Sequence, residues 1–214
     1  METKNKNMEA SILAAASRLF AERGYNATST TDIAREVGCN QALVHYYFRT
    51  KENLFQKVFI SKFESIVGRL RVPLDEGCDF FPLLRTIVDT YFDIIAEAPQ
   101  TVHLFLNELV LDTERRESIK AVFMENMARE DFFRRFCQAA ETAMQHGQIR
   151  KVEPLHLYVD IVSLVIFSHL SASVLGDLMG MDAQATGAYL AQRREETYTL
   201  LVQGLLKFQL QVQH

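Results

Sequence analysis

Tryptophan is absent from this 214-residue sequence, and cysteine occurs three times, proline four times and glycine nine times. Each scarcity excludes something. Cys39, Cys78 and Cys137 are odd in number, lack a CxxC spacing and have no clustered histidines beside them, so neither a disulfide framework nor a zinc site is expected. No metal and no cofactor are expected, and the cysteine usage suits a reducing, cytoplasmic setting. The four prolines (Pro73, Pro82, Pro99, Pro154) all stand where a helix starts or a loop passes. Internal repeats and low-complexity tracts are missing. The polar stretch Met1 to Met8 has no apolar region behind it, which argues against a secretory signal.

A long uninterrupted apolar run is also lacking. The best candidate, Ile161 to Leu175, is shorter than the ~20 residues that span a bilayer, and it contains Ser163, Ser168, His169, Ser171 and Ser173. The expectation is a buried helix and no membrane partner. Basic charge is scarce as well: the net charge is −4. That deficit is uneven. Residues 1–57 carry eight basic side chains (Lys4, Lys6, Arg18, Arg23, Arg35, Arg49, Lys51, Lys57) against six acidic ones, leaving 15 against 21 in the remainder. Any surface that meets a polyanion is therefore expected near the start of the chain.

What is present is helical periodicity, with 48% apolar residues and no segment of alternating polarity that would mark a strand. The fold class expected is all-α. Ile12, Ala16, Leu19 and Phe20 share one face of a first helix over Met8 to Arg23, which Gly24 stops. Ser29 and Asp32 approximate a capping box opening a second helix that ends at Gly38. Asn40 caps a third helix, Gln41 to Phe48, in which Val44 and Phe48 face inward, and Thr50 caps a fourth that runs to about Arg69.

Further helices are expected over Phe80 to Glu97, Gln100 to Leu111, Glu114 to His146, Pro154 to Met179 and Ala183 to Gln211. Pro154 to Met179 is apolar on nearly every side. Ala183 to Gln211 is amphipathic, with Leu190, Thr197, Leu201, Leu205 and Phe208 along one stripe.

Two short helices joined by a glycine turn match a helix-turn-helix, whose second helix enters the major groove of DNA. The stretch Gly24-Tyr25-Asn26-Ala27-Thr28-Ser29-Thr30-Thr31-Asp32-Ile33-Ala34, then Val37-Gly38, then Leu43 to Leu54 (LVHYYFRTKENL) resembles the TetR (tetracycline-repressor) family signature. The resemblance covers the first quarter of the chain. It implies phosphate contacts from Thr30, Asn40 and Lys51, approach to base edges by Gln41, Ala42 and Leu43, and contacts to backbone and bases from His45, Tyr46 and Tyr47. It also implies a DNA-binding domain over residues 6–66 (helix-turn-helix about 29–48) and a larger helical ligand-binding and dimerisation domain over 67–214.

The residues agree on their own terms. With Val44 and Phe48 inward, Gln41 and His45, and Ala42 and Tyr46, lie on the opposite side. Gln41 is chemically suited to bidentate pairing with adenine, and Ala42 or Leu43 to a thymine methyl. The sequence departs from the family where Lys or Arg is frequent at position 41 and Thr or Ser at 43. Tyr47 is divided between packing and phosphate contact. Cys39 reads as a small turn residue, His103, His146, His156 and His169 as ordinary helix residues, and Arg115-Arg116, Arg134-Arg135 and Arg193-Arg194 as solvated faces.

No nucleophile with a base, paired carboxylates or metal spacing stands out, so an enzyme is not expected. The expectation is a repressor that binds a double-stranded, pseudo-palindromic operator as a homodimer through residues 154–211 and is released by a small-molecule effector of unknown identity. The alternative is a helical interaction or dimerisation module with a DNA-binding head and no small-molecule ligand. Phe105, Phe123, Met124, Phe132 and Phe133 are the aromatic and Met-rich candidates for an effector site, against the simpler reading that they are core.

Overall fold

Local chemistry sets the ends of the short helices. A computed structural model describes residues 2–71, 79–99 and 131–206, with residues 102, 117, 120, 121 and 124. The described elements are all helices: α1 Glu2–Arg23, α2 Thr30–Val37, α3 Gln41–Phe48, α4 Lys51–Arg71, α5 Phe80–Glu97, α6 Asp131–Gln145, α7 Pro154–Met179 and α8 Ala183–Leu205. Apart from residues 102, 117, 120, 121 and 124, the expected helix Gln100 to Leu111 and the front of Glu114 to His146 lie outside the described residues, as do Phe105, Phe123 and Phe208. The chain divides into two compact units, Met1–Ile66 with Ala98–Arg129 and Val67–Glu97 with Glu130–His214.

In the first unit, α1 to α4 converge on one core. Ile12, Ala16, Leu19 and Phe20 of α1, Ile33 and Ala34 of α2, Val44 and Phe48 of α3, and Leu54, Phe55, Val58 and Phe59 of α4 are all buried together. Phe55 stands edge-on to Phe20 and to Tyr25, each at 5.0 Å between ring centroids, which adds directional packing to the area term. Thr28 is buried with its hydroxyl donating to the Leu19 and Gly24 carbonyls, tying the loop down onto the end of α1. The turn into α3 needs positive φ, and Gly38 supplies it at 74° while its N–H closes the end of α2.

In the second unit, α5, α7 and α8 pack on one another and α6 packs on α5 and α7. Phe80, Leu83, Leu84, Ile87, Val88 and Phe92 of α5, Phe132 and Phe136 of α6 and Leu157, Ile161 and Val165 of α7 are all buried, with the Phe80 and Phe136 rings 6.4 Å apart. Phe132 is buried, Phe133 is half-buried and lies 5.5 Å edge-on from Tyr158, and Met124 is exposed. Arg85 joins α5 to α8 by donating to Glu195 Oε2 at 2.6 Å, and Arg194 of α8 donates to Asp93 of α5. Arg194 is thus part of a seam between helices, not the solvated face expected of it.

Two helices of this unit differ from expectation. The α8 stripe exists but is used within the chain: Thr197 is fully buried, Leu201 is 6% exposed and Leu205 is buried. The helix also stops at Leu205, because Leu206 takes an extended backbone (φ −67°, ψ 143°), short of the expected Gln211. Helix α7 forms as a single 26-residue helix, long and apolar enough to cross a membrane, yet only 29% of its most apolar stretch is buried inside the chain. Its outward face carries Leu155, Val159, Phe167, Val174 and Leu178, spaced four, seven or eight residues apart, the last three 67–79% exposed. Periodicity named this helix as apolar all round but not which side its own chain would cover.

The cap of α2 has a measurable weight. The Ser29 hydroxyl accepts from the Asp32 N–H at 3.1 Å, and Asp32 accepts in return from the Ser29 N–H, a reciprocal capping box. These Ser29 hydrogen bonds hold the Asp32 carboxyl below its ordinary value, with Arg35 adding to the shift. A depressed carboxylate stabilises the fold above its unfolded value near 3.8 and loses that contribution as pH falls through the lower folded value. Loss of the N-cap hydroxyl in Ser29→Ala should lower stability by about 1 kcal/mol in urea denaturation at pH 7. It should also flatten the loss of stability that the unsubstituted chain shows as pH falls below about 3.8.

Candidate nucleic-acid interface

Helix α3 is eight residues long, and two of them are fixed in the core: Val44 and Phe48 are 1% and 2% exposed. Helical geometry then turns Gln41, Ala42, His45 and Tyr46 outward, and all four are exposed. Asn40 caps the helix, its Oδ1 accepting from the Leu43 N–H at 2.9 Å. Leu43 differs from the expected exposed base reader in being half-buried. Tyr46 is 65% exposed, with its ring edge-on to Tyr47 at 5.3 Å, and Tyr47 packs against the core of the unit. Desolvation, with Tyr46 and Glu9 nearby, holds the Tyr47 hydroxyl above its ordinary value, so it remains a protonated donor.

Thr30 and Lys51 flank this face. Thr30 opens α2 and is buried, its Oγ1 accepting from Gln41 Nε2 at 2.9 Å. Lys51 opens α4 with its Nζ 4.1 Å from the centroid of the Tyr25 ring, a cation–π placement that leaves the ammonium at a helix N-terminus. Thr30, Gln41 and His45 are in hydrogen-bond contact, whereas Asn40 caps separately. Residues from three helix starts thus bring hydroxyl, amide, imidazole and ammonium groups to the outer side of α2–α3 and its flank. A groove-binding surface needs such groups, with donors for phosphates and polar or small side chains for base edges.

Residues 12–58 match the family profile of bacterial regulatory proteins, tetR family. That match spans the helix-turn-helix and marks this segment of the chain as TetR-like. The Mycolicibacterium smegmatis transcriptional activator FasR is 29% identical over 110 residues, 51% of this chain and 50% of FasR. The chain therefore matches about half the length of that relative. FadR from Bacillus subtilis, solved in complex with stearoyl-CoA, superposes with a TM-score of 0.67 at 17% identity, covering 92% of this chain and 98% of FadR. AibR, solved with isovaleryl coenzyme A and operator DNA, gives a TM-score of 0.60 at 22% identity over 75% of this chain and 84% of AibR. The last two likenesses establish the all-α architecture, an N-terminal helix-turn-helix followed by a helical domain.

One residue at this helix-turn-helix carries a backbone that no local sequence signal announced. Arg49 has φ 64° and ψ −57°, and the Thr50 N–H donates across it to the Phe48 carbonyl at 2.7 Å. This is a γ-turn of the strained, positive-φ hand, seldom adopted by a residue with a Cβ. The bend lets the chain leave α3 and enter α4 within two residues, and it aims the Arg49 carbonyl back at His45 Nδ1, 3.1 Å away. Strain of this kind costs ~1–3 kcal/mol and persists where surrounding packing dictates it. Arg49→Gly should release that strain, offset in part by glycine's greater freedom when unfolded, and raise stability by ~0.5–2 kcal/mol in thermal or urea unfolding. An unchanged or lower stability would mean that the turn is not strained.

Proposed function

We propose that this chain is a cytoplasmic, homodimeric transcriptional regulator, a repressor in its expected mode, that binds a pseudo-palindromic operator and releases it when a small molecule occupies the second unit. It acts by binding and not by catalysis. The observation that carries the reading is the exposed face of α3, where Gln41, Ala42, His45 and Tyr46 stand opposite the buried Val44 and Phe48. Beyond its edge-on contact with Tyr47, the Tyr46 ring keeps most of its surface in water, and a groove gives that surface and its hydroxyl a partner. In this reading residues 6–66 bind DNA and residues 67–214 bind the effector and the second copy.

Gln41, Ala42 and Leu43 approach base edges, Tyr46 and Tyr47 direct their hydroxyls to backbone, and Thr30, Asn40 and Lys51 set the register on phosphates. A dimer satisfies two half-sites when its recognition helices lie about one DNA turn apart, ~34–36 Å. Helix α4 runs from the first unit into the second, so a change at its Arg71 end is carried covalently to Lys51 beside α3.

The outward face of α7 supports the dimer. Phe167, Val174 and Leu178 form an apolar stripe that a second copy can cover, and exposed His156, Asp160 and Asp177 on the same helix favour a protein partner over lipid. The effector is supported by polar atoms left inside an apolar unit. Among the described residues, His169 Nε2 of α7 and Thr197 Oγ1 of α8 are buried without a hydrogen-bond partner, and Asp89 Oδ1 of α5 is met only by the Arg194 guanidinium at 4.0 Å. Buried polar groups are normally satisfied, and a few of them among apolar side chains are what a small-molecule site requires.

Two experiments test the reading. A Tyr46→Ala, Lys51→Ala double variant should bind a selected operator duplex at least ~10-fold more weakly and with a shallower salt dependence, because it has lost phosphate contacts. Unchanged affinity and salt slope would remove α3 from the interface; addition of stearoyl-CoA to the unsubstituted complex gives the effector arm a first probe. Phe167→Asp should give a folded monomer by light scattering and circular dichroism, with operator affinity lost. Leu201→Asp should instead unfold the chain, because Leu201 faces its own core. A Phe167→Asp protein that stays dimeric would exclude the α7 face.

A further inference from the structure

The side chains of Thr30, Gln41 and His45 form a directed chain of hydrogen bonds whose sense is set at one end. The Arg49 carbonyl can only accept, so the His45 Nδ1 that lies 3.1 Å from it carries the proton. A neutral ring then has a lone pair at Nε2, and the Gln41 atom 3.4 Å away must be an amide N–H. The other hydrogen of that amide goes to Thr30 Oγ1 at 2.9 Å. Both amide hydrogens of Gln41 are thus used inside the protein. What remains, on an exposed residue at the first position of α3, is the acceptor Oε1.

We propose that Gln41 reads its base as an acceptor only, selecting adenine or cytosine on the strand it faces and rejecting guanine and thymine. Adenine and cytosine offer an exocyclic amine to the major groove, N6 or N4, which Oε1 can accept from; guanine and thymine offer the oxygens O6 and O4, which repel it. The inference rests on α3 being the helix that enters the groove. It replaces the bidentate adenine pairing expected of a free glutamine, because that pairing needs an N–H that is here committed to His45 and Thr30. Thr30 and His45 are positioning residues for Gln41. Thr30, having accepted from the amide, keeps its own hydroxyl hydrogen at the start of α2, so one residue both orients the reader and can donate to a phosphate.

The test is selection from random duplexes at pH 8 with the unsubstituted chain, Gln41→Ala, and a Thr30→Val, His45→Phe double variant. The position that loses its preference in Gln41→Ala is the one that Gln41 reads. There the unsubstituted chain should favour A or C over G or T by about 5- to 150-fold. In the double variant the amide is free to turn, and the ratio should fall towards one, whatever happens to total affinity. Selection of G or T at that position, selection of adenine alone, a Gln41→Ala protein with no altered position, or an undiminished ratio in the double variant would each overturn the proposal while leaving DNA binding intact. If the unsubstituted chain selects no sequence, both the groove reading and this proposal fall. Long-range 1H–15N correlation of His45 in the free protein supplies a readout that does not depend on DNA or on the variants folding. The Nδ1–H tautomer is expected, and a predominant Nε2–H tautomer would reverse the amide and overturn the proposal.

Discussion

The first unit depends on a single shared core, because neither α2 nor α3 is long enough to stand alone. A helix of eight residues forms too few hydrogen bonds to offset its nucleation cost in water. Ile33 and Ala34 hold α2, and Val44 and Phe48 hold α3, against the same Phe20, Phe55 and Phe59 side chains. The outward residues inherit their positions from that contact. Gln41 and His45 point away from the core because Val44 and Phe48 point into it, and the caps at Ser29 and Asn40 only decide where each helix begins.

This division explains what the sequence made legible. Helix starts and stops in the head were readable because their causes lie within a few residues: Ser29 with Asp32, Asn40 with Leu43, and Gly38 at positive φ. The inward pair and the outward set of α3 followed from the 3.6-residue period. The Gln41–His45 half of the relay was visible as a four-residue spacing. Thr30 was not, since it lies 11 residues from Gln41 and reaches it only after the turn has brought α2 and α3 together. Arg49 was counted as a charge, and its γ-turn had no residue preference to betray it because Gly or Asn is the usual occupant of positive φ.

In the second unit the same period named faces without naming what covers them. Thr197, Leu201 and Leu205 share a stripe, but periodicity cannot tell a partner subunit from a neighbouring helix, and the stripe meets the rest of its own chain. The charged seam of Arg85, Asp89, Asp93, Arg194 and Glu195 was equally hidden, because its members lie about 100 residues apart. Arg85 and Arg194 also lie against the Tyr198 and Phe92 rings, so their removal would disturb packing as well as charge.

The uncovered side of α7 links the fate of this chain to its own abundance. An apolar face of this length is stable in water only while something occupies it. If a second copy is the occupant, mass action makes the apparent stability of each copy rise with the amount present. A scarce chain would be more open to proteolysis as well as less able to occupy a two-fold site. Below the dissociation constant for self-association, the population competent for such a site grows as the square of the chain concentration, so a modest change in synthesis would be felt as a steep one.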